Sequence, residues 1–388
     1  MDISQILQNY DLNDITIGVL GGHSALDVCR GTKKHRFKNV VVCQKGREKV
    51  YDKYYKSRNG KGCVDDVIIV DKFSDIVNPE VQEELRRRNT IFIHNRYFWV
   101  YCDFDEIENN FKVPIYGSRT LLKLEERDIV NNQYYLLEEG GIRIPILYVV
   151  PELKFEDGLV SFTKTPEQEM VGLTLTKANN AIRTYERENF TASSWHDWLS
   201  IAQKKVKDGL ITFEALQKCV VEEFILGAQI NYNFFYSVLN DELELMGTDT
   251  RRQTNLDGVL RLPAQEQLKI PHLTKFIKHI ETGHISVTCK ESLLRKAFDA
   301  GEKFVVSCKN NANQDMIGPF ALQGAIDTRD NKEELVVFDV SMRIPGSPGT
   351  RFTPYSGYLY GESISYGERI GMEIQQALST NQIHRIVT

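Results

Sequence analysis

The stretch V-E-E-F-I-L-G, residues 221–227, decides the fold. Two acids, four apolar residues and a glycine form an acidic hinge, and the motifs downstream of it give it meaning. They are G-T-D-T-R-R-Q-T-N-L-D-G-V-L-R-L-P-A (247–264), M-I-G-P-F-A-L-Q (316–323) and L-V-V-F-D-V-S-M-R (335–343). The order is an acidic hinge, a basic and polar loop, a Gln and an Asp on successive strands, then an Arg.

The chain around these motifs has 388 residues, enough for two or three domains and a sizeable core. Charged residues make up 26% and hydrophobic residues 41%, as in ordinary globular proteins. A net charge of -5 offers no general attraction to nucleic acid or anionic membrane, so neither partner is expected. One basic segment runs from Lys45 and Arg47 to Lys61; beyond about Lys53 it reads as a solvated loop. Lys45 and Arg47 alone, just after a strand, suit a phosphate contact. The seven cysteines show no C-x-x-C pair, which argues against a zinc ribbon or a disulfide framework. With no apolar signal core or membrane-length run, a cytoplasmic protein is expected.

Short Val- and Ile-rich strands at 15–20, 39–43, 66–70, 90–93 and 113–116 alternate with helical stretches at 24–30 and 79–88. That pattern predicts a doubly covered parallel sheet closing near residue 120. Residues 119–139 read as one connecting helix ended by Gly140-Gly141. A strand is expected at 158–164 and a helix at 195–207. Residues 229–246 read as an antiparallel hairpin turning at Asn240-Asp241. A buried strand at 335–340 and a helix at 367–377 complete the chain. The predicted class is α/β, α+β toward the C-terminus, divided into 1–120, 121–210 and 211–388.

Gly21-Gly22-His23-Ser24 follows a strand and opens a helix. Glycines let a phosphate approach free N–H groups there, and His23 can hydrogen-bond a ligand; a plain turn capped by Ser24 is the bland alternative. Glu222 and Glu223, ahead of apolar Phe224, can accept from an adenine amino group or ribose hydroxyls. They could equally be half-exposed strand residues. Asp339 offers charge and Gln323 a neutral oxygen, the kind of pair magnesium uses when phosphates and water supply its other ligands. Arg343 is placed to stabilise a transferring phosphoryl group. Arg251, Arg252, Asn255 and Asp257 read as a polar, salt-bridged turn. The histidines have no metal-ligand spacing.

Together these motifs, with G-G-H-S-A-L (21–26) and E-N-N-F-K-V-P-I-Y-G-S-R (108–119), resemble the archaeal formate–phosphoribosylaminoimidazolecarboxamide ligase family. The resemblance runs from about Ile15 to the C-terminus. It implies an ATP-grasp fold with a Rossmann-like N-terminal domain, ATP and magnesium as cofactors, and small-molecule substrates. Formate would be activated as formyl phosphate and captured by the amine of an aminoimidazole carboxamide ribotide, a late step of purine synthesis. A homo-oligomer is implied by resemblance alone. By position, His23 and Ser24 match the substrate site, Lys164 an ATP-phosphate lysine, Glu222, Glu223 and Phe224 the nucleotide hinge, and Gln323 and Asp339 the metal pair. Asp339 stands where the family usually has Glu, moving the carboxylate by roughly 1.5 Å. Tyr97 replaces a substrate-contacting Ser, His284 a substrate Asn and Gln253 a Glu near ATP. The run T-P-E-Q-E-M-V-G (165–172) replaces a Gly- and Arg-rich flap. Three readings fit: the family reaction with altered contacts, the same mechanism on another amine or carboxylate, or an inactive nucleotide-binding relative. Tyr97 and His284 favour the second; Lys164, Gln323, Asp339 and Arg343 weigh against the third.

Overall fold

The computed structural model describes residues 3–127, 129–179, 181, 187–254, 256–270, 280–328 and 332–388. Its N-terminal sheet is parallel, built from β1 (Thr16–Leu20), β2 (Lys38–Gln44), β3 (Asp66–Val70), β4 (Thr90–Ile93) and β5 (Ile115–Tyr116). The order is β3-β2-β1-β4-β5. Val40, Val41 and Val42 are all fully buried, so both faces of β2 are covered, as the continuous apolar run predicts. The order reverses between β1 and β4. A crevice at the carboxyl ends of those two strands is the consequence of that reversal.

Residues 147–223 add β6 (Leu147–Tyr148), the hairpin β7 (Leu153–Glu156) and β8 (Leu159–Phe162), β9 (Thr174–Asn179), β10 (Arg187–Ala192) and β11 (Val220–Glu223). Four of these form a small antiparallel sheet, β10-β9-β11-β6. Its core side lies under Trp195 and Trp198 of the helix Trp195–Lys207, which is the helix expected there. The large sheet holds β12 (Ala228–Ser237), β13 (Glu242–Gln253), β14 (Glu281–Ser286), β15 (Gly318–Asp327) and β16 (Glu334–Ser341), in the order β14-β13-β12-β15-β16. The β12–β13 hairpin turns where expected, with Asp241 left-handed at φ 54°.

Two expectations fail. Residues 119–139 are not one helix. A 3-10 turn spans Leu121–Glu125, and a separate helix, Gln133–Glu139, starts at Asn132, whose side chain caps the Tyr134 amide. Asn131 is left-handed at φ 58°, which breaks the helix before that cap. The break frees Gln133 to bond the Glu125 carbonyl and the Val340 amide, so it serves the edge of β16. Second, Arg251 and Arg252 are strand residues of β13, not loop residues. Arg252 does pair with Asp257 at 3.3 Å. Asn255 lies outside the described residues.

The C-terminus returns to the parallel sheet. Thr388 exchanges backbone hydrogen bonds with Ile115, donating at 2.8 Å and accepting at 3.0 Å. The helix Tyr366–Ser379 packs on the helix Ala25–Lys34, and Ile370 and Ile374 join the core under β1.

Candidate active site between the sheets

The acidic hinge is β11 and its exit. β11 pairs with β9 on one side and β6 on the other, and the Phe224 amide donates to the Leu173 carbonyl at 2.9 Å. Gly227 then passes against Ile326; a Cβ there would lie 2.8 Å from the Ile326 carbonyl carbon and 3.3 Å from the Ala325 side chain. Successive strand residues face opposite ways. Glu222, 2% exposed, pairs with the Lys177 ammonium of β9 and accepts the Tyr134 hydroxyl. Glu223 accepts the Ile146 amide at 3.3 Å. Burial lowers the Lys177 pKa, and nearby Arg127 adds to that, against the pull of Glu222. Phe224 is half-buried.

Opposite this ledge lie Gln323 and Asp339. Sixteen positions apart in sequence, they are direct cross-strand partners on β15 and β16. The register shifts just beyond them, so that Gly324 pairs with Val337 and Phe338 bulges. The Phe338 carbonyl accepts from Arg127 and lies 3.0 Å from Tyr134 Oη, whose one proton it shares with Glu222. Burial alone would raise the Asp339 carboxyl, but Arg127, Arg251 and Lys177 outweigh it and hold it below the usual range. Arg251 donates to Gln323 Oε1 and lies 3.8 Å from Asp339 Oδ2. A guanidinium thus sits against both oxygens, so the pair attracts positive charge. One carboxylate and one neutral oxygen suit magnesium, which draws its remaining ligands from phosphates and water. No group of three or more His, Cys, Asp or Glu among the described residues could form an all-protein cage.

The crevice at the ends of β1 and β4 completes the site. Gly21 and Gly22 follow β1, and a Cβ on Gly22 would strike the Tyr97 ring. Ser24 does not cap the helix. It is left-handed at φ 69°, and its hydroxyl donates to the Pro345 carbonyl at 2.6 Å, tying the N-terminal domain to the loop after β16. Burial, reinforced by the charge of Arg343, pushes the His23 pKa down to about 3, so the imidazole is neutral at physiological pH. Its ring abuts Gly346. After β4, Asn95 caps the short helix Arg96–Tyr101 and aims Arg96 at the same cleft as His23, Arg251, Gln323 and Arg343. Tyr97 packs on Phe73, with ring centroids 5.3 Å apart, and stands 6.4 Å from His23. Arg47 lies over Phe73 at 5.6 Å. Arg343 is buried and meets Glu125 at 3.4 Å.

His284 of β14 is clamped between two carboxylates, Asp249 and Glu281, the latter at 2.9 Å. Burial would lower its pKa, but the two hydrogen bonds outweigh burial and raise it to about 9. Glu281, despite burial, is lowered to about 2 by His284 and Arg251. The sign is definite. A raised histidine stabilises the fold fully below its unfolded pKa of roughly 6.5, and that contribution drains away as pH rises toward about 9. The wild-type protein should therefore lose up to roughly 3 kcal/mol of unfolding free energy between pH 6 and 9.5 that His284→Gln does not lose. Urea midpoints at both pH values check this; parallel declines would remove the imidazolium clamp.

The remaining sequence candidates lie at the margins. Gln253 ends β13 opposite Glu281. Lys164 is exposed on the turn after β8, and residues 165–172 form no regular element. The ion-paired lysine of the small sheet is Lys177, which the sequence does not single out because residues 145–220 lack clear periodicity. The signal is T-L-T-K-A-N, where Lys177 breaks an otherwise β-forming run. Arg127, Tyr134 and Glu125 are hidden inside the supposed single helix. Arg96 could be found from its place directly after β4, the strand beside the glycine-bearing β1.

A family model described as a domain of unknown function (DUF1297) matches residues 197–388, and one described as a protein of unknown function (DUF1246) matches residues 17–148. A 5-formaminoimidazole-4-carboxamide-1-(beta)-D-ribofuranosyl 5'-monophosphate synthetase from Methanothermobacter thermautotrophicus is 37% identical over 390 residues, spanning 100% of this chain and 98% of that one. The synthetase of the same name from Methanocaldococcus jannaschii is 34% identical over 389 residues, spanning 100% and 99%. Among solved structures, the IMP biosynthesis protein PurP from Thermococcus kodakaraensis superposes with a TM-score of 0.66 at 24% identity, covering 96% of this chain and 100% of that one. N5-carboxyaminoimidazole synthetase from Staphylococcus aureus gives 0.54 at 15% identity, covering 90% and 78%. The fold is that of the ATP-grasp ligases.

Proposed function

The chain belongs to the 5-formaminoimidazole-4-carboxamide ribotide synthetase family, and we propose that it formylates the amine of an aminoimidazole carboxamide ribotide at the expense of ATP. The observation that carries the reading is a linked set of groups: Glu222 pairs with Lys177, Lys177 and Arg127 act on the Asp339 carboxylate, Asp339 pairs across the strands with Gln323, and Gln323 lines the cleft of His23, Arg96 and Arg343.

A carboxylate oxygen attacks the γ-phosphorus of ATP. A new P–O bond forms, the bond to the ADP oxygen breaks, and ADP leaves. The ribotide amine then attacks the acyl carbon, phosphate departs with the C–O bond pair, and the amine loses a proton. Both steps bring anions together, so cations must offset repulsion and water must be excluded from the acyl phosphate. Glu222 and Lys177 hold the nucleotide end, with Glu223 and Phe224 shaping the hinge behind them. Gln323 and Asp339 would hold magnesium, which supplies charge neutralisation at the phosphates. Arg343 and Arg251 face the transferring phosphoryl group. Lys164, exposed on the turn after β8, would contact the ATP phosphates. Neutral His23 accepts a hydrogen bond from the ribotide, with Ser24 fixing the turn that presents it.

A second reading, the same mechanism with a different amine, is favoured by one feature. The Tyr97 ring lies against Gly22 and narrows the space beside His23. One experiment separates the two. ADP release is followed with ATP, magnesium, formate and the ribotide, each omitted in turn, and the product is weighed by mass spectrometry. Release that needs all four, with a product heavier by one formyl group, is expected. ADP release that ignores the ribotide but responds to another amine would transfer the reading to the second.

A further inference from the structure

We propose that Arg96 is the seat of the small carboxylate that the enzyme activates. This rests on the ligase reading above and adds the residue that would hold its one-carbon substrate. The argument begins with charge. Three arginines line the cleft: Arg96, Arg251 and Arg343. Arg343 has Glu125 at 3.4 Å. Arg251 has Glu281 at 3.5 Å and Asp339 at 3.8 Å. Among the described residues Arg96 has neither a carboxylate within ion-pair distance nor a hydrogen-bond acceptor; its guanidinium lies over the Trp99 ring, 5.5 Å from the centroid. A guanidinium drawn largely out of water and left unpaired is unfavourable, and an arriving anion relieves it. Its planar fork matches the two oxygens of a carboxylate.

The anions of the reaction are the small carboxylate, the ATP phosphates and the ribotide phosphate, and the two-oxygen match of the fork suits the carboxylate. Position agrees. Arg96 follows β4 at the point where strand order reverses, where ligands of such sheets bind. The same cleft is lined by Gln323, so a carboxylate on Arg96 faces the side where the metal pair and the γ-phosphate meet. His23 and Gly346 line the same cleft, with the His23 ring against Gly346.

The test uses the full chain with Arg96→Gln and Arg96→Lys. Rates of ADP release are measured while formate, ATP and ribotide are varied singly. Arg96→Gln should raise the formate KM at least 100-fold and leave the ATP and ribotide KM values within about threefold, because the lost contact is a charge-assisted fork. Arg96→Lys keeps charge without the fork and should raise the formate KM roughly tenfold. A rise confined to the ribotide KM would assign the anion to its 5'-phosphate and overturn the proposal. A rise confined to ATP would assign it to the γ-phosphate, with the same consequence. If Arg96→Gln does not fold, an unchanged formate KM in Arg96→Lys overturns it. A parallel measurement needs no turnover: sodium formate, against chloride at equal ionic strength, should raise the melting temperature of wild type but not of Arg96→Gln or, to the same degree, Arg96→Lys. Should wild type release no ADP with formate and ribotide, the ligase reading fails while this shift still decides the anion seat. No formate shift in wild type overturns it.

Discussion

Asp339→Asn should lower the rate of ADP release by roughly 10³-fold, about 4 kcal/mol of transition-state stabilisation, without unfolding the protein. Asp339 is the one carboxylate of the cross-strand pair, and Gln323 beside it is neutral. Three cations hold it ionised: Arg127 at 3.3 Å, Arg251 at 3.8 Å and the more distant Lys177. Asn keeps the volume and one acceptor oxygen but removes the charge that a divalent ion requires. The substitution also leaves Arg127 with less compensation, although the Phe338 carbonyl and the Tyr134 ring still hold it. The stability cost should stay near 1–2 kcal/mol, which circular dichroism and a urea titration can follow. The kinetic signature is a fall in kcat with a nearly unchanged ribotide KM, since His23 and Tyr97 are untouched. A folded variant that turns over at more than a tenth of the wild-type rate would falsify the metal assignment.

What could be read from the sequence was what repeats or what sits next to glycine. The parallel strands announced themselves because burial on both faces leaves unbroken Val and Ile runs, as in β2. The β12–β13 hairpin was visible in its Asn240-Asp241 turn. Gln323 and Asp339 could be paired only because each lies in a strong strand and the register happens to be in phase; the bulge at Phe338, which adds a residue on one side, was not legible. Three kinds of information were lost. Residues 119–139 carry helical spacing throughout, yet Asn131 in a left-handed conformation and the Asn132 cap divide them. The small sheet has short strands with little alternation, so Lys177 looked like any surface lysine until Glu222 was placed across from it. The cleft depends on the reversal of strand order between β1 and β4, which no local pattern encodes, and so Arg96 passed as one polar residue before an aromatic run. Resemblance guided the choice of Lys164, whereas the ion pair on the ledge belongs to Lys177.

Gly31→Ala should destabilise the protein by about 3 kcal/mol, at the upper end of what one added methyl group costs in a packed interior, and lower the melting temperature by roughly 4 °C. Gly31 lies in the helix Ala25–Lys34 where it crosses the helix Tyr366–Ser379. A Cβ there would lie 2.7 Å from the Gly367 Cα and overlap the Gly367 carbonyl carbon and the Glu368 amide nitrogen. The obstacle is backbone on both sides, so no side chain can rotate away. Gly367 faces the same constraint in return, since its own Cβ would lie 2.8 Å from the Val28 Cα. The two helices must part, and that movement reaches the active site. The helix Ala25–Lys34 begins directly after His23 and Ser24, and Ser24 is bonded to Pro345 at 2.6 Å beside the Gly346 that His23 touches. Prying the helices apart therefore shifts His23 and the N-terminal wall of the cleft relative to Arg343 and Gln323. Activity measured well below the new melting temperature should fall at least tenfold, since displacing groups by about 1 Å can cost 10²-fold in rate. Gly258→Ala, where an added Cβ meets open space, is the matched control and should change neither quantity. Loss of stability with full retention of rate would mean that the cleft is positioned by the large sheet alone, and that the returning C-terminal helix holds the parallel sheet closed without aligning it.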